Sequence, residues 1–428
     1  MRQPKPPKGV SNTQVSGGVL PWVLGIGIVV ATLCVMLLLQ MGYQGRLTVR
    51  YGWQRQVHRL AHSGLAWMLA DVENYPHFTP VPITLPNDPP DTVWVERSCW
   101  GMWEFGKSYA KKGPYEAGTA MLLGHRPSRD GQLALYVREQ GRPLAVAGDN
   151  TIRGDVKVTA NGFRSAFINR IGYRKAQYVE GQTQTSETKL PTLDTEVPER
   201  FFQQLNQWTA VPPFTRDSLL QVDTVRWPFS SVEPLMLSVE GTLYLDGYWE
   251  GYIVLRASGG IVVSSSAQLS HVILEAPYIT FKSGAQAQAQ LWVKDSARLE
   301  SGSRLNFPSA LVMRDPPARA QVTLEAGSAM GGVLWGWFQN QPQTRRVASM
   351  DPGAKLVGQV YWPDGFEPQE ATVVGQVVCE YLYLSIGGNQ WTNHMFGATL
   401  DARARPESYF SPPLWHYVPG AEPVMELP

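Results

Sequence analysis

The apolar positions of this chain fall into three successive regimes. Residues 19–41 (VLPWVLGIGIVVATLCVMLLLQM) carry no charge, and the run is long enough to cross the hydrocarbon core of a bilayer. The residues that follow, Gln40-Met41-Gly42-Tyr43, are not a small-residue cleavage site, so the segment reads as an uncleaved anchor. Residues 43–71 contain no Pro, and apolar residues recur at Val57, Leu60, Ala61, Leu65, Met68 and Leu69, the spacing of one helical face. The pattern predicts a single helix that leaves the membrane segment and ends before Tyr75-Pro76.

Beyond residue 74 the apolar positions alternate, as they do along strands. The Pro-rich stretch 75–90 predicts an extended linker or edge segment. Residues 92–96 and 99–105 predict an aromatic-rich hairpin, and residues 133–137 a further strand. Four later stretches, 261–269, 279–287, 291–299 and 322–330, fit one template. Apolar residues stand at its first and third positions (Ile261 and Val263, Ile279 and Phe281, Leu291 and Val293, Val322 and Leu324), and small or turn-forming residues follow. Short strands with tight corners and no helix between copies predict a β-solenoid, whose coils bury an inward row against one another. The starts at 261, 279, 291 and 322 are unevenly spaced, so the expected coil is irregular. An antiparallel sandwich whose hairpins share turn chemistry is the alternative.

A second echo, Leu356-Val357-Gly358-Gln359-Val360 and Val373-Val374-Gly375-Gln376-Val377, predicts that Gly358 and Gly375 stack at one corner. Gly154, in Gly154-Asp155-Val156, is explained by backbone geometry, because no helix start follows it that would hold a phosphate.

The expected fold class is therefore mainly β: one N-terminal transmembrane helix with a helical stem, then an irregular, β-helix-like solenoid head. The divisions are an N-terminal tail (1–18), the transmembrane helix (19–41), the stem (42–73), a first β region holding the start of the coil (74–180), a polar and helical excursion (181–232), the β-solenoid (233–385) and a Pro-rich tail (386–428). Within the excursion, the stretch from Pro198 to Trp208 predicts a helix with Phe201, Leu205 and Trp208 on one face.

Composition agrees with a strand-and-turn protein: 40 Gly and 33 Pro in 428 residues, with 17% charged. Lys+Arg at 37 against Asp+Glu at 36 gives a net charge of +1, which argues against a nucleic-acid partner through general electrostatic attraction. The orientation of the anchor is not fixed by charge, since Arg2, Lys5 and Lys8 on one side compete with Arg46, Arg50, Arg55 and Arg59 on the other. Three cysteines, Cys34, Cys99 and Cys379, exclude a disulfide scaffold and leave open whether the last two pair.

Candidate chemistry is sparse, and no catalytic, cofactor-binding or metal-ligating residue is assigned. His58 and His62 share a helical face as a metal pair would, but Arg59 stands where a zinc protease carries Glu, and no third ligand is apparent. His394 and Asp401 are an acid/base pair only if the fold brings them together. Clustered Trp residues and the coil architecture leave a carbohydrate-binding or carbohydrate-cleaving protein, a polysaccharide lyase or hydrolase, as the competing reading to a non-enzymatic one. Paired carboxylates beside an exposed Trp in a wall groove would mark it.

Two resemblances bear on function. The uninterrupted helix and the segment Ala61-His62-Ser63-Gly64-Leu65 resemble the N-terminal half of type IV pilins and pseudopilins. That resemblance implies a rod half in the membrane and half packed on a globular head, with filament or secretion-system subunits as protein partners. The peptidase site of that group is absent, since Gly18 is followed by Val19-Leu20-Pro21-Trp22-Val23 with no Glu. The glycine–valine spacing at Gly154, Gly358 and Gly375 is similar to that of the bactofilin group, which implies a scaffold. Together these lead to the expectation of a structural or assembly component of the cell envelope. Residues 19–41 would hold it to the inner membrane, with the C-terminal head in the periplasm.

Overall fold

A computed structural model describes residues 19–86, 91–127, 132–208, 223–317, 320–338, 346–414 and 421–428. The chain is mainly β, with one long apolar helix at its N-terminal end. That helix, α1 (Val19–Leu69), runs unbroken for 51 residues, about 77 Å at 1.5 Å per residue. Arg2, Lys5, Lys8 and Gly18 lie outside the described residues.

The second half of α1 packs on an antiparallel sheet of β1 (Val81–Leu85), β2 (Asp91–Trp100), β3 (Trp103–Lys112), β4 (Tyr115–Gly124) and the C-terminal strand Glu422–Leu427. The Pro-rich stretch supplies β1, an edge strand, where a missing N–H costs no ladder bond. The expected tail contributes strands of its own: Glu422–Leu427 closes the other edge of this sheet, and Thr399–Asp401 joins the parallel sheet described next. Pro423 is accommodated at an edge, while Thr399–Asp401 holds no Pro and is paired on both sides, so the overall Pro content of 386–428 was misleading.

Most other strands pair in parallel as a closed, barrel-like sheet around an apolar interior. Its register places like residues over like. One column runs Leu237, Leu255, Leu274, Leu291, Leu311, Leu334, Val360, Val377, Leu135, Val156. A second runs Leu243, Ile261, Ile279, Ala297, Val322, Ala348, Phe366, Leu382. All belong to one buried cluster. Ile261, Ile279 and Val322 thus share a column as the template required, but Leu291 stands on another wall and Ala297 takes its place. Alternation reports which residues point inward, not which wall they line, and Gln286–Leu299 is long enough to serve two.

Gly358 stacks on Gly375 as expected, and Gly332 precedes them. At Gly358 φ is +148°, and a Cβ would lie 1.8 Å from the Gly332 carbonyl oxygen. Gly154 likewise has φ +124°, with a Cβ 2.6 Å from the Gln132 oxygen.

The order of strands departs from chain order. Leu133–Val137 pairs with Thr372–Ile386, so residues 133–158, with Thr183–Thr185 paired beyond them, lie at the far end of the parallel sheet rather than at a start preceding residue 233. Three stacked rings, Phe163, Tyr178 and Tyr173, pack against the core beyond them, at centroid distances of 5.4 and 4.9 Å. Nothing in a periodic pattern encodes which strand docks on which.

Candidate functional site

The helix divides into two surfaces. Its first half is exposed all round, with Leu20, Trp22 and Leu38 at 78%, 75% and 68%. It is the one helix among the described residues that is long and apolar enough to cross a membrane. Its second half buries Val57, Leu60, Ala61, Leu65 and Met68 of the stripe the spacing predicted, together with Gly64, which the spacing did not mark, while Leu69 is half-buried. Against them lie Ile83, Val93, Val95 and Ala110 of the antiparallel sheet.

Two glycines set how closely helix and sheet approach. A Cβ on Gly64 would stand 2.6 Å from Val93 Cγ2, and one on Gly106 would stand 2.2 Å from Met68 Cε. Small residues at these two positions let the backbones close together, so the seat is shaped for this helix.

A buried polar cluster fastens the end of the stem. The Glu104 carboxylate is 1% exposed and accepts from His77 Nε2 at 2.6 Å and from Arg97 at 2.7 and 3.1 Å, while Arg97 also donates to the Val72 carbonyl just past the helix. Burial alone would raise the Glu104 carboxyl; the hydrogen bond from His77 and the Arg97 guanidinium outweigh it and hold it below its ordinary range. Its Oε2 has no partner among the described residues. Reading the sequence missed this cluster. The signal was Glu104 itself, a charge between Trp103 and Phe105 in an aromatic strand.

The sheet in turn plugs into the parallel wall. Gln290, 4% exposed, accepts from the Met102 N–H at 2.7 Å and donates to the Trp100 carbonyl at 2.7 Å, and Trp100 Nε1 donates to the His271 carbonyl at 2.9 Å. Around this point Trp100, Phe105, Phe201, Phe229 and Tyr252 meet mostly edge to face. The predicted helix is present as α2 (Glu196–Leu205), and it buries Phe201 and Leu205 in the same junction while Trp208 packs against it. Cys99 lies in this junction and Cys379 in the interior of the parallel sheet; both are buried free thiols, so the two do not pair.

The remaining sequence candidates do not converge. His58 is exposed, and His62 lies 3.8 Å from Glu426 in a solvent-exposed pair. Among the described residues no group of three His, Cys, Asp or Glu is arranged to hold a metal. His394 Nδ1 is 2.9 Å from the Thr392 carbonyl, while Asp401 accepts from Arg153 and from the Arg403 and Ala404 amides, so the two are engaged separately.

Among the described residues, two grooves on the outer wall are lined by tryptophan. One of about 330 Å³ is lined by Phe202, Trp292, Lys294 and Arg314, and its one carboxylate, Glu275, is paired with Arg256 at 2.8 Å. The other, about 630 Å³, has Glu380 paired with Arg138 at 2.5 Å. Trp292, Trp335 and Trp337 are 3%, 1% and 8% exposed, with their rings turned into the junction rather than toward solvent. Paired carboxylates beside an exposed Trp are not found in either groove. Elsewhere on the wall Glu367 is 8% exposed and accepts from the Ser385 amide; burial pushes its carboxyl up to about 7, and Asp351 adds to the effect.

No family model matches the chain, and no curated protein matches it. Among solved structures it is similar to the competence-associated pilin ComZ from Thermus thermophilus, at 9% identity over 82% of this chain and 86% of that one, with a TM-score of 0.24. A superposition of that quality does not establish a shared fold.

Proposed function

We propose that this chain is a single-pass, membrane-anchored structural component of the cell envelope, built as a pseudopilin-like subunit of a pilus or secretion filament. The observation that carries the reading is the division of one continuous helix: apolar on every side through residues 19–41, then striped and seated in the head through Val57–Met68. A helix apolar all round belongs in lipid, whereas a one-sided stripe belongs against a protein surface, and here both occur without a break. We read the barrel-like parallel sheet as an irregular β-solenoid with three walls, supported by columns whose members recur at coil-like spacing. The bactofilin resemblance has no support beyond its glycine–valine spacing.

The reading is of a scaffold and not of an enzyme. It draws support from the grooves, whose carboxylates are single and cation-paired, and from the wall tryptophans, which are consumed by internal packing. In this proposal the head lies in the periplasm. Protease added to intact cells, to cells with an opened outer envelope, and to cells with a broken inner membrane tests that placement. Digestion of the C-terminal head at the second stage is the expected result; protection until the third would overturn the placement.

A further inference from the structure

The net charge of +1 conceals an axial separation of charge along the parallel sheet. At its first end, the strands Thr224–Trp227, Leu235–Val239 and Thr242–Leu245 each pair on one side only. Residues 223–250 there carry Asp223, Glu233, Glu240, Asp246 and Glu250, against a single cation, Arg226, which is paired with Glu250 at 3.1 Å. At the other end, where Thr183–Thr185 pairs outermost on Asp155–Val158, residues 153–187 carry Arg153, Lys157, Arg164, Arg170, Arg174 and Lys175 against Asp155, Glu180 and Glu187. Nine ladder steps of roughly 4.8 Å separate Leu237 from Val156, so the opposite charges sit about 43 Å apart.

Both ends also present apolar side chains. At the basic end Phe167–Ile168 and Ile171–Gly172 form a hairpin turned on Asn169 (φ +50°) and Arg170 (φ +64°), which leaves Phe167 75% exposed. Two positive φ values in succession are the geometry of a tight hairpin, so this ring is displayed on a rigid support. At the acidic end Val232 is 86% exposed. Arg164, Arg170 and Arg174 are exposed, and no carboxylate among the described residues pairs with them. The nearby Glu180 is engaged by Arg153, and Glu139 accepts the Gly141 and Ala160 amides.

The geometry points to end-to-end docking of two copies of this chain, the basic, Phe167-tipped end of one head against the acidic end of the next. Charge complementarity selects the partner: the surface that matches the unpaired arginines is carried by the same molecule, at the opposite end of its own ladder. The contact joins copies at different heights above the membrane. From the stem outward, Lys112 lies over Trp53, Gly118 meets Ser230, and Trp103 meets Phe307, so the acidic end faces the anchor and the basic end faces away. The inference rests on the filament reading, because copies anchored through residues 19–41 in one membrane hold their heads at one height until a subunit is drawn along the stem axis; in detergent that constraint is lifted, so the contact is tested apart from the filament.

The test is sedimentation velocity of the full chain in a neutral detergent. Wild type should self-associate with concentration, and raising salt from about 50 to about 500 mM should weaken the association about tenfold. A variant combining R164E, R170E and R174E, and a second combining D223K, E233K and E240K, should each fail to self-associate. Mixed together they should associate again, because each then supplies the end the other lacks. That recovery also establishes that both variants are folded. A wild type that stays monomeric at low salt, association indifferent to both charge reversals, or an unrestored mixture would overturn the proposal. So would a basic end that leaves wild type monomeric and retains single-stranded nucleic acid or anionic vesicles instead.

Discussion

In the antiparallel sheet a few side chains decide how the stem is held, whereas in the parallel ladder the packing is spread along columns that repeat. Glu104, Arg97 and His77 fix one point, and Gly64 and Gly106 fix the approach of α1. The ladder column from Leu237 to Val156 has no such focus, since each layer resembles its neighbours. The difference teaches where each region is vulnerable: the sheet at its specific contacts, the ladder wherever a side chain would block the next layer.

The largest effect is expected from Gly358→Val. A side chain there meets the Gly332 carbonyl and imposes a backbone strain that only Gly accepts, so a loss of about 4 kcal/mol or outright unfolding should appear in urea titration followed by circular dichroism. Wild-type stability would show that the stacked glycines are not required. Next comes Glu104→Leu, which leaves Arg97 partly buried without its counter-charge and should cost about 3 kcal/mol, read in the same titration. Gly64→Leu should cost about 2 kcal/mol by overpacking against Val93 and should raise protease sensitivity after the stem while leaving the ladder intact. If it cut the ladder first, the division into two regions would be wrong.

The smallest effect separates the regions by sign. The Glu104 carboxyl is held below its ordinary range, so its contribution is present above that range and is lost as pH falls through the lowered value. The Glu367 carboxyl is pushed up to about 7, so its contribution is present below the ordinary carboxylate range and is lost as pH rises through about 7. Between pH 5 and 8, wild type should therefore lose stability that Glu367→Gln retains. An identical slope in that variant would remove Glu367 from the account.

How far the sequence foretold this arrangement follows from the range of each interaction. The α1 stripe, α2 and the stacking of Gly358 on Gly375 were legible because each depends on residues a few positions apart or on two near-identical copies. The docking of Leu135 on Val377 was not, because no local pattern relates segments so far apart in the chain. Leu291 was assigned to the wrong column for the related reason that inward alternation is the same on every wall. At the candidate site, the helix was visible from spacing and Gly64 only through the pilin-like segment, but the His77–Arg97–Glu104 cluster needed the segment after the stem brought against two strands before its meaning appeared.

The central claim is that one rod serves lipid at one end and protein at the other. Residues 1–45 fused to a soluble reporter and expressed in cells test it by fractionation. The account predicts that the fusion sediments with membranes and stays there through alkaline carbonate washing. A reporter recovered in the soluble fraction would contradict it.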